Sequence, residues 1–318
     1  MSSQASAATA AARGAGGRND GAVDTFSGLV VAGHGRHYIV ETPDGGRLIC
    51  HPRGKKSDCV VGDRVCWRPT TDSGEEGVIE SLQPRRNLLF RQDEWKTKAF
   101  AANLDQILVM VASEPVFSES QLTRALIAAA SAGIDASILL NKADKPAIAE
   151  ARERLQPYRK LGASVIEVSL KAAPDEARAV LDPLLAGKAS LVLGPSGTGK
   201  STLINLLVPG ATVQVGEISQ ALNSGRHTTT HTQWHWIDRA GGTALIDSPG
   251  FQEFGLRQID AQELPRLMPD LAAFSGECRF YNCSHQHEPG CGVLAALKRG
   301  EISPSRHRIY GEILREIS

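Results

Sequence analysis

The most informative stretch of this chain is rich in glycine: Gly194-Pro195-Ser196-Gly197-Thr198-Gly199-Lys200-Ser201. It follows a short apolar run at 189–193 and precedes a helical pattern at 201–207. A glycine-rich turn between a strand and a helix is the setting of a phosphate-binding P-loop, because backbone N–H groups and the helix N-terminus converge on the phosphates. A chance glycine turn is the alternative interpretation. The pattern predicts a nucleoside triphosphate site.

Two side chains of this stretch have predicted chemical roles. Lys200 can reach the β- and γ-phosphates, and the Ser201 hydroxyl can ligate Mg²⁺. We expect nucleotide contacts from the whole stretch and from the following residue, Thr202. The P-loop alone does not distinguish ATP from GTP.

A second segment indicates which nucleotide base the site binds. A buried strand at 138–140 ends in Asn141-Lys142-Ala143-Asp144. The Asp144 carboxylate can accept hydrogen bonds from both the ring N–H and the exocyclic amine of guanine, a pair that adenine lacks. Asn141 can tie neighbouring loops together, and the Lys142 stem can lie along the base. A solvated turn at a strand end is the alternative.

Three further segments complete the pattern. Ser169-Leu170-Lys171 is similar to the Ser-Ala-Lys element that supports the guanine carbonyl, with Leu170 in the alanine position. In Asp247-Ser248-Pro249-Gly250, the carboxylate can hold the Mg²⁺ shell and the Gly250 N–H can sense a γ-phosphate. Thr228-Thr229-Thr230 offers a second Mg²⁺ ligand in a switch loop, and Thr229 is our candidate among the three.

The order of these segments along the chain is unusual. In Ras-like GTPases the P-loop comes first and the guanine-reading segments come last. Here the guanine-reading segments come first, followed by the P-loop, the threonine loop and the Asp247 segment. Such a permutation is tolerated where the original termini lie close together on the surface. The chain therefore resembles the circularly permuted GTPases.

The segments that flank the GTPase part indicate which family of circularly permuted GTPases the chain resembles. Short Val-rich runs and Gly-rich turns at 24–90 predict a five-stranded barrel of the OB type. After the GTPase part comes a cluster made of Cys278, Cys283, His285 and Cys291. The whole arrangement, from about residue 24 onward, resembles the RsgA (YjeQ) family of small-ribosomal-subunit-dependent GTPases. The resemblance implies ribosome-stimulated GTP hydrolysis in late maturation of the small subunit. It also implies binding of ribosomal RNA through the barrel and the zinc domain.

The cysteine and histidine cluster predicts a structural zinc site. Its spacings of four, one and five residues let one loop wrap one ion, and four ligands leave no open position for catalysis. Disulfides are the alternative, but a nucleotide site without a secretory signal favours a reducing cytoplasm. The family resemblance assigns His285 rather than His287 to the metal. The remaining cysteines, Cys50, Cys59 and Cys66, are predicted to be small buried residues of the barrel.

The catalytic group is predicted from a difference between this chain and the Ras-like GTPases. Ras-like GTPases place a water-orienting glutamine directly after Asp-x-x-Gly, and this chain has Phe251 there. We expect slow intrinsic turnover and a different group to complete the site. His227, in the switch loop, is our candidate, and the family resemblance supports a catalytic role for that loop. A histidine that merely packs or faces solvent is the alternative.

Composition sets few limits. The formal net charge is +0, so no global electrostatic argument for nucleic acid exists. Local basic clusters at 47–56 and 85–98 suit phosphate tracking, although a charge run is usually a solvated face. No apolar run approaches the ~20 residues of a membrane helix. We expect a cytoplasmic monomer with a disordered tail at 1–23.

The predicted architecture is an α/β fold with two flanking domains. We place an OB domain at 24–90, a short basic connector, a GTPase domain at 101–255 and a mainly helical zinc domain at 260–318. The expected strands of the mostly parallel, doubly wound sheet are 106–111, 137–140, 164–168, 190–193, 234–237 and 243–246. The expected helices are 120–132, 148–161, 176–185, 201–207 and, in the zinc domain, 306–317.

Two other functions remain open from the sequence. A guanine-nucleotide-responsive RNA-binding module could carry vestigial turnover, and stimulation of phosphate release by small subunits would separate it from an enzyme. An ATP-dependent kinase or transport ATPase would also use a P-loop. Asn141 and Asp144 argue against this last alternative.

Overall fold

The computed structural model describes residues 25–54, 58–70, 76–93, 96–211, 232–248 and 256–318. The predicted N-terminal tail lies outside these ranges, and so do several residues with predicted roles: His227, Thr228, Thr229, Thr230, Pro249, Gly250 and Phe251. Within the described ranges, the structure contains no helix with the length and apolar character needed to cross a membrane.

The N-terminal part is a five-stranded barrel, as predicted. Its strands are β1 (Phe26–His34), β2 (His37–Glu41), β3 (Arg47–Pro52), β4 (Arg64–Pro69) and β5 (Glu76–Leu82). Pairing of β1 with β4 closes the sheet. Alternate side chains point inward, and Cys50 and Cys59 lie in the resulting core, as expected for small buried residues. Burial raises the pKa of the Cys50 thiol to about 11. Cys66 is half-buried.

The predicted connector is a β-hairpin made of β6 (Leu88–Asp93) and β7 (Lys96–Ala102). It is held against the barrel at Gly62, whose φ is 92° and where a Cβ would lie 2.1 Å from the Ala102 carbonyl oxygen. Nearby, the Arg85 guanidinium forms two hydrogen bonds, of 2.7 and 2.8 Å, with the buried Asp63 carboxylate. The hairpin is therefore a packed element between the barrel and the following domain.

The central domain is a doubly wound sheet, as predicted. Its strands are β8 (Gln106–Ala112), β9 (Asp135–Asn141), β10 (Ser164–Glu167), β11 (Ala189–Leu193), β12 (Gln233–Asp238) and β13 (Thr243–Asp247). The spatial order is β10-β9-β8-β11-β13-β12, with β12 antiparallel to β13 and the other pairs parallel. The helices are α1 (Glu119–Ser131), α2 (Ile148–Lys160), α3 (Pro174–Leu185) and α4 (Lys200–Leu207).

Helices on both faces explain the apolar strands. Ile107 and Val109 of β8 pack in one hydrophobic cluster, while Leu108 and Met110 pack in the other. Because successive strand residues point to opposite faces, a strand buried on both sides reads as a continuous apolar run. The sheet also continues into the barrel, since β12 pairs with β1 to give one sheet of 11 strands.

The C-terminal domain is mainly helical. A short 3-10 helix (Leu264–Leu267) precedes α5 (Pro269–Ser275), α6 (Gly292–Lys298) and α7 (Pro304–Ile317). Helix α7 begins two residues before the predicted start because Pro304 suits the first turn and the Ser303 hydroxyl accepts a hydrogen bond from the Arg306 N–H.

A buried polar network joins this domain to the central one. Arg306 of α7 binds both carboxylate oxygens of Asp270, at 2.7 and 2.8 Å, and both residues are at most 5% exposed. Arg306 also donates to the Thr123 hydroxyl of α1 at 2.9 Å, and this hydroxyl lies 2.9 Å from the Tyr158 hydroxyl of α2. The network therefore fixes the C-terminal domain on α1 and α2.

We predict that Arg306→Leu lowers the free energy of unfolding by on the order of 3–5 kcal/mol, because Asp270 would remain buried without its counterion. Urea unfolding of the full chain measures this change. Arg308→Gln, on the same helix, is the matched control. It removes an exposed pair with Glu312 and should cost about 0.5 kcal/mol or less. Equal losses for the two variants would contradict the assignment.

Candidate nucleotide site and metal centre

The P-loop occupies the turn between β11 and α4 and adopts a conformation that only glycines allow. Gly197 and Gly199 have φ values of 82° and 106°. A Cβ on Gly199 would lie 2.4 Å from the Asn141 Nδ2, and one on Gly194 would lie 2.4 Å from the Met110 carbonyl oxygen. These glycines bring the backbone close to the adjacent strands, and the first turn of α4 faces the same loop.

Lys200 folds back over this loop. Its Nζ donates hydrogen bonds to the carbonyl oxygens of Gly194 at 2.6 Å and Pro195 at 3.0 Å. Burial lowers the pKa of Lys200, while the negative charge of Asp247 acts in the opposite direction. The ammonium group is thus placed over the loop, with neutral acceptors that phosphate oxygens can replace.

Asn141 connects three segments of the site. Its Nδ2 donates to the Thr198 carbonyl oxygen at 2.8 Å, and its Oδ1 accepts from the Leu170 backbone N–H at 3.1 Å. Asn141 is 4% exposed, so both bonds are shielded from water. The Leu170 side chain packs in the core, which explains how leucine fits at this position: the contact toward Asn141 uses only its backbone.

Lys142 and Asp144 extend from the same strand end. Lys142 has a φ of 61°, its Nζ donates to the Glu114 carbonyl oxygen at 2.7 Å, and its own carbonyl accepts from the Ser113 hydroxyl at 2.8 Å. Asp144 is exposed. Slight desolvation of the carboxylate acts to raise its pKa. Hydrogen bonds from the Asp144 backbone N–H and the Ser169 hydroxyl, together with the positive charge of Lys145, outweigh this effect and lower the pKa overall. The carboxylate is therefore ionised and accessible.

Ser113 and Glu114 are site residues that the sequence analysis missed. They follow β8 and hold Lys142 through one hydroxyl and one backbone carbonyl. Neither contact has a sequence signature, because any residue could supply the Glu114 carbonyl. Their position directly after a buried strand, at the same sheet edge as Asn141, was the available signal.

The Asp247 segment reaches the same edge. Asp247 ends β13, is 3% exposed and lies opposite Val192 of the P-loop strand. The Ser248 hydroxyl donates to the Val192 carbonyl oxygen at 2.8 Å. Ser201 and Thr202 are half-buried in the first turn of α4. The glycine cradle, Lys200 and the Asp247 carboxylate fit a nucleotide with Mg²⁺, and Ser201 and Asp247 are the residues whose oxygens would hold that ion.

The predicted zinc ligands converge on one point. The ligand atoms of Cys278, Cys283, His285 and Cys291 lie within 4.8 Å of one another. The His285 Nδ1 is 3.4 Å from the sulfurs of Cys278 and Cys291, which are 3.8 Å apart. Metal–ligand bonds of about 2.3 Å to sulfur and 2.0–2.1 Å to nitrogen give tetrahedral edges of roughly 3.5–3.8 Å. Cys278, His285 and Cys291 therefore have the spacing of three zinc ligands, and Cys283 lies close enough to be the fourth. His287 is exposed and lies outside this cluster.

The surrounding backbone holds this cluster in place. Cys291 caps α6, and its sulfur and that of Cys278 accept hydrogen bonds from the N–H groups of Leu294 and Gly292 at 3.4 Å. The Glu288 carboxylate accepts from the Ser284 N–H at 2.7 Å and from two following N–H groups. Burial raises the pKa of the Cys283 thiol to about 12, so a bound cation is what would keep this sulfur ionised.

Several members of the basic clusters are engaged within the chain. Arg85 pairs with Asp63 and Arg86 with Asp105. In the barrel, Arg53 pairs with Glu80. The positive charges of these arginines are therefore partly neutralised by carboxylates of the same chain.

The RsgA GTPase family model matches residues 82–257. The chain is 60% identical over 299 residues to the small ribosomal subunit biogenesis GTPase RsgA of Variovorax paradoxus, covering 92% of each chain. It is 54% identical over 293 residues to the protein of the same name from Burkholderia pseudomallei, again covering 92% of each.

Solved structures agree with this relationship. The crystal structure of YjeQ from Thermotoga maritima is 30% identical, with a TM-score of 0.68 over 92% of this chain and 98% of that one. The structure of YloQ, a circularly permuted GTPase, is 25% identical, with a TM-score of 0.65 over 95% and 98%. These likenesses confirm the predicted permuted fold and exclude the kinase and ATPase alternatives. The chain belongs to the RsgA GTPase family and is a GTPase.

Proposed function

We propose that the small ribosomal subunit stimulates GTP hydrolysis by this chain and that the chain acts in late maturation of that subunit. Relatives named for small-subunit biogenesis support the biological role. The observation that best supports a GTP site is the pair of hydrogen bonds made by the Asn141 side chain, because they join the proposed guanine-binding loop to the P-loop. The shared edge of the sheet then presents base and phosphate contacts together.

We assign the nucleotide contacts by position in this site. The guanine base is assigned to Asn141, Lys142, Asp144, Ser169, Leu170 and Lys171. The phosphates are assigned to Gly194, Pro195, Ser196, Gly197, Thr198, Gly199, Lys200, Ser201 and Thr202. Mg²⁺ and the γ-phosphate are further assigned to Thr229, Asp247 and Gly250, of which Thr229 and Gly250 lie outside the described residues.

To catalyse GTP hydrolysis, the protein mainly has to position the reacting groups and compensate the negative charge of the phosphates. Hydrolysis joins water to the γ-phosphorus and releases phosphate and GDP. Lys200 exchanges its two loop carbonyls for phosphate oxygens, which as anions are the stronger acceptors. Mg²⁺, when bound, neutralises phosphate charge. His227 is our candidate to orient the water, in place of the glutamine that Phe251 replaces.

The flanking domains are proposed to bind ribosomal RNA. Family membership supports this more than charge does, since Arg53, Arg85 and Arg86 already pair with carboxylates. One structural zinc ion, held by Cys278, Cys283, His285 and Cys291, would fix the C-terminal domain. We further propose domains at 24–90, 101–255 and 260–318, a monomeric state and a cytoplasmic location.

We predict that Asp144→Asn weakens GTP binding by on the order of 100-fold while binding of xanthosine triphosphate improves, because the amide no longer accepts from both guanine donors. Equilibrium titration with fluorescent nucleotides measures both affinities. Asp182→Asn, on the exposed face of α3, should leave both unchanged. Unchanged GTP affinity in Asp144→Asn would sink the assignment.

We predict that the purified chain carries one zinc ion and that Cys283→Ser releases it and lowers the thermal midpoint, because metal binding contributes to folding. Metal analysis of protein prepared without chelator measures the content. Cys66→Ser, in the barrel, is the control and should retain the metal. Wild-type protein without zinc would contradict the structural role.

The function itself is tested by measuring GTP hydrolysis with and without purified small subunits. We predict strong stimulation of the wild type. His227→Ala should keep nucleotide affinity within about twofold and lose most of the stimulation, because the water lacks its orienting group. Phe251→Ala should change stimulation much less. An unstimulated wild type contradicts the proposed function, and a fully stimulated His227→Ala variant removes His227 from the mechanism.

A further inference from the structure

The barrel joins the GTPase sheet one strand away from a proposed Mg²⁺ ligand. Ala32 of β1 is paired with Gln233 of β12. Gln233 is in turn paired with Asp247 of β13, and Asp247 with Val192 of the P-loop strand. One row of backbone partners therefore runs from the barrel to the nucleotide site. Any shift of β12 against β13 changes the surroundings of Asp247.

A buried carboxylate attaches the barrel to the other end of β12, where Trp236 is paired with Ala244 near the start of β13. Glu41, at the end of β2, is 5% exposed. Its Oε1 accepts from the Trp236 Nε1 at 2.7 Å and from the Arg239 Nε at 3.0 Å, both on the GTPase side. Its Oε2 accepts from the Arg47 Nε of the barrel at 2.9 Å. We call these four residues the Glu41 clamp.

Arg239 makes a second attachment to the same part of the barrel. Its Nη2 donates to the carbonyl oxygens of Thr42 at 3.0 Å and Pro43 at 2.9 Å, in the β2–β3 turn. Gly45 of that turn lets the guanidinium approach, since a Cβ there would lie 3.1 Å from the Arg239 Nη1. The turn between β12 and β13 and the turn between β2 and β3 are thus held together by directional bonds.

We propose that Glu41 is a positioning residue that couples the barrel to the Mg²⁺-binding end of β13. Among the described residues, backbone pairing between β1 and β12 is limited to Ala32 and Gln233, so side chains must define how the barrel meets the GTPase domain. A buried carboxylate with several donors permits one arrangement, because sliding would leave it unsatisfied. Force on the barrel therefore reaches Asp247 through β12. The inference rests on the proposed function in taking Asp247 as a Mg²⁺ ligand and in naming the small subunit as the barrel's ligand.

The test compares Glu41→Gln with Glu80→Gln in the full-length chain. Glu80 also accepts from two arginines, Arg53 and Arg68, but both belong to the barrel. The first readout is the Mg²⁺ concentration that half-saturates equilibrium binding of a fluorescent GTP analogue. The second is the stimulation of hydrolysis by small subunits. Thermal melting verifies that each variant is folded.

We expect Glu41→Gln to raise the half-saturating Mg²⁺ concentration, or to reduce stimulation, by about fivefold or more, with Glu80→Gln within about twofold of wild type. If Glu41→Gln does not fold, Trp236→Phe replaces it, because it removes one donor and keeps an aromatic ring. Both readouts equal to those of Glu80→Gln overturn the proposal. If small subunits fail to stimulate the wild type, the proposed function is contradicted. A higher half-saturating Mg²⁺ concentration in Glu41→Gln but not in Glu80→Gln would still support the coupling.

Discussion

The carboxyl ends of β9, β11 and β13 meet at one edge of a parallel sheet, and the nucleotide site depends on this constraint. Asn141 ends β9, the P-loop follows β11 and Asp247 ends β13. Hydrogen-bonded register, rather than order along the chain, brings these ends together. The guanine loop can therefore precede the P-loop in sequence without loss of the site, which is the physical basis of the circular permutation.

The permutation also decides where the flanking domains attach. The barrel precedes β8 in sequence but joins the sheet through β12, at the edge strand. The C-terminal domain follows β13 and docks on α1 and α2 through Arg306. Each domain thus contacts an element connected directly to part of the site: β12 to the Asp247 strand, and α1 to the turn that holds Lys142.

The sequence predicted the central domain well because its signals are local. Buried strands are apolar runs bounded by turn residues, and the helices of the sheet begin and end within two residues of their expected positions. The ligand cluster was predictable from the spacing of its cysteines together with the family resemblance, which selected His285 rather than His287. The hairpin at Leu88–Asp93 and Lys96–Ala102 was missed because its strands are mixed in polarity, and its packing depends on distant Gly62. The partners of Arg85 and Arg86 were likewise invisible, since Asp63 and Asp105 are remote in sequence.

Three buried polar side chains, Asn141, Glu41 and Arg306, make the connections between separate parts of this molecule. An apolar contact tolerates small displacements, since its energy follows the area buried. A buried hydrogen-bonded group does not, because each lost bond leaves a desolvated donor or acceptor at a cost of about 1–3 kcal/mol. One apolar cluster runs from Val31 of the barrel through the sheet to Ile313 of the C-terminal domain and stabilises their association, whereas the polar contacts restrict how the parts slide against one another. We therefore expect movement at one junction to displace the adjoining strand or helix as a unit, and β12 links the Glu41 junction to the strand that ends at Asp247.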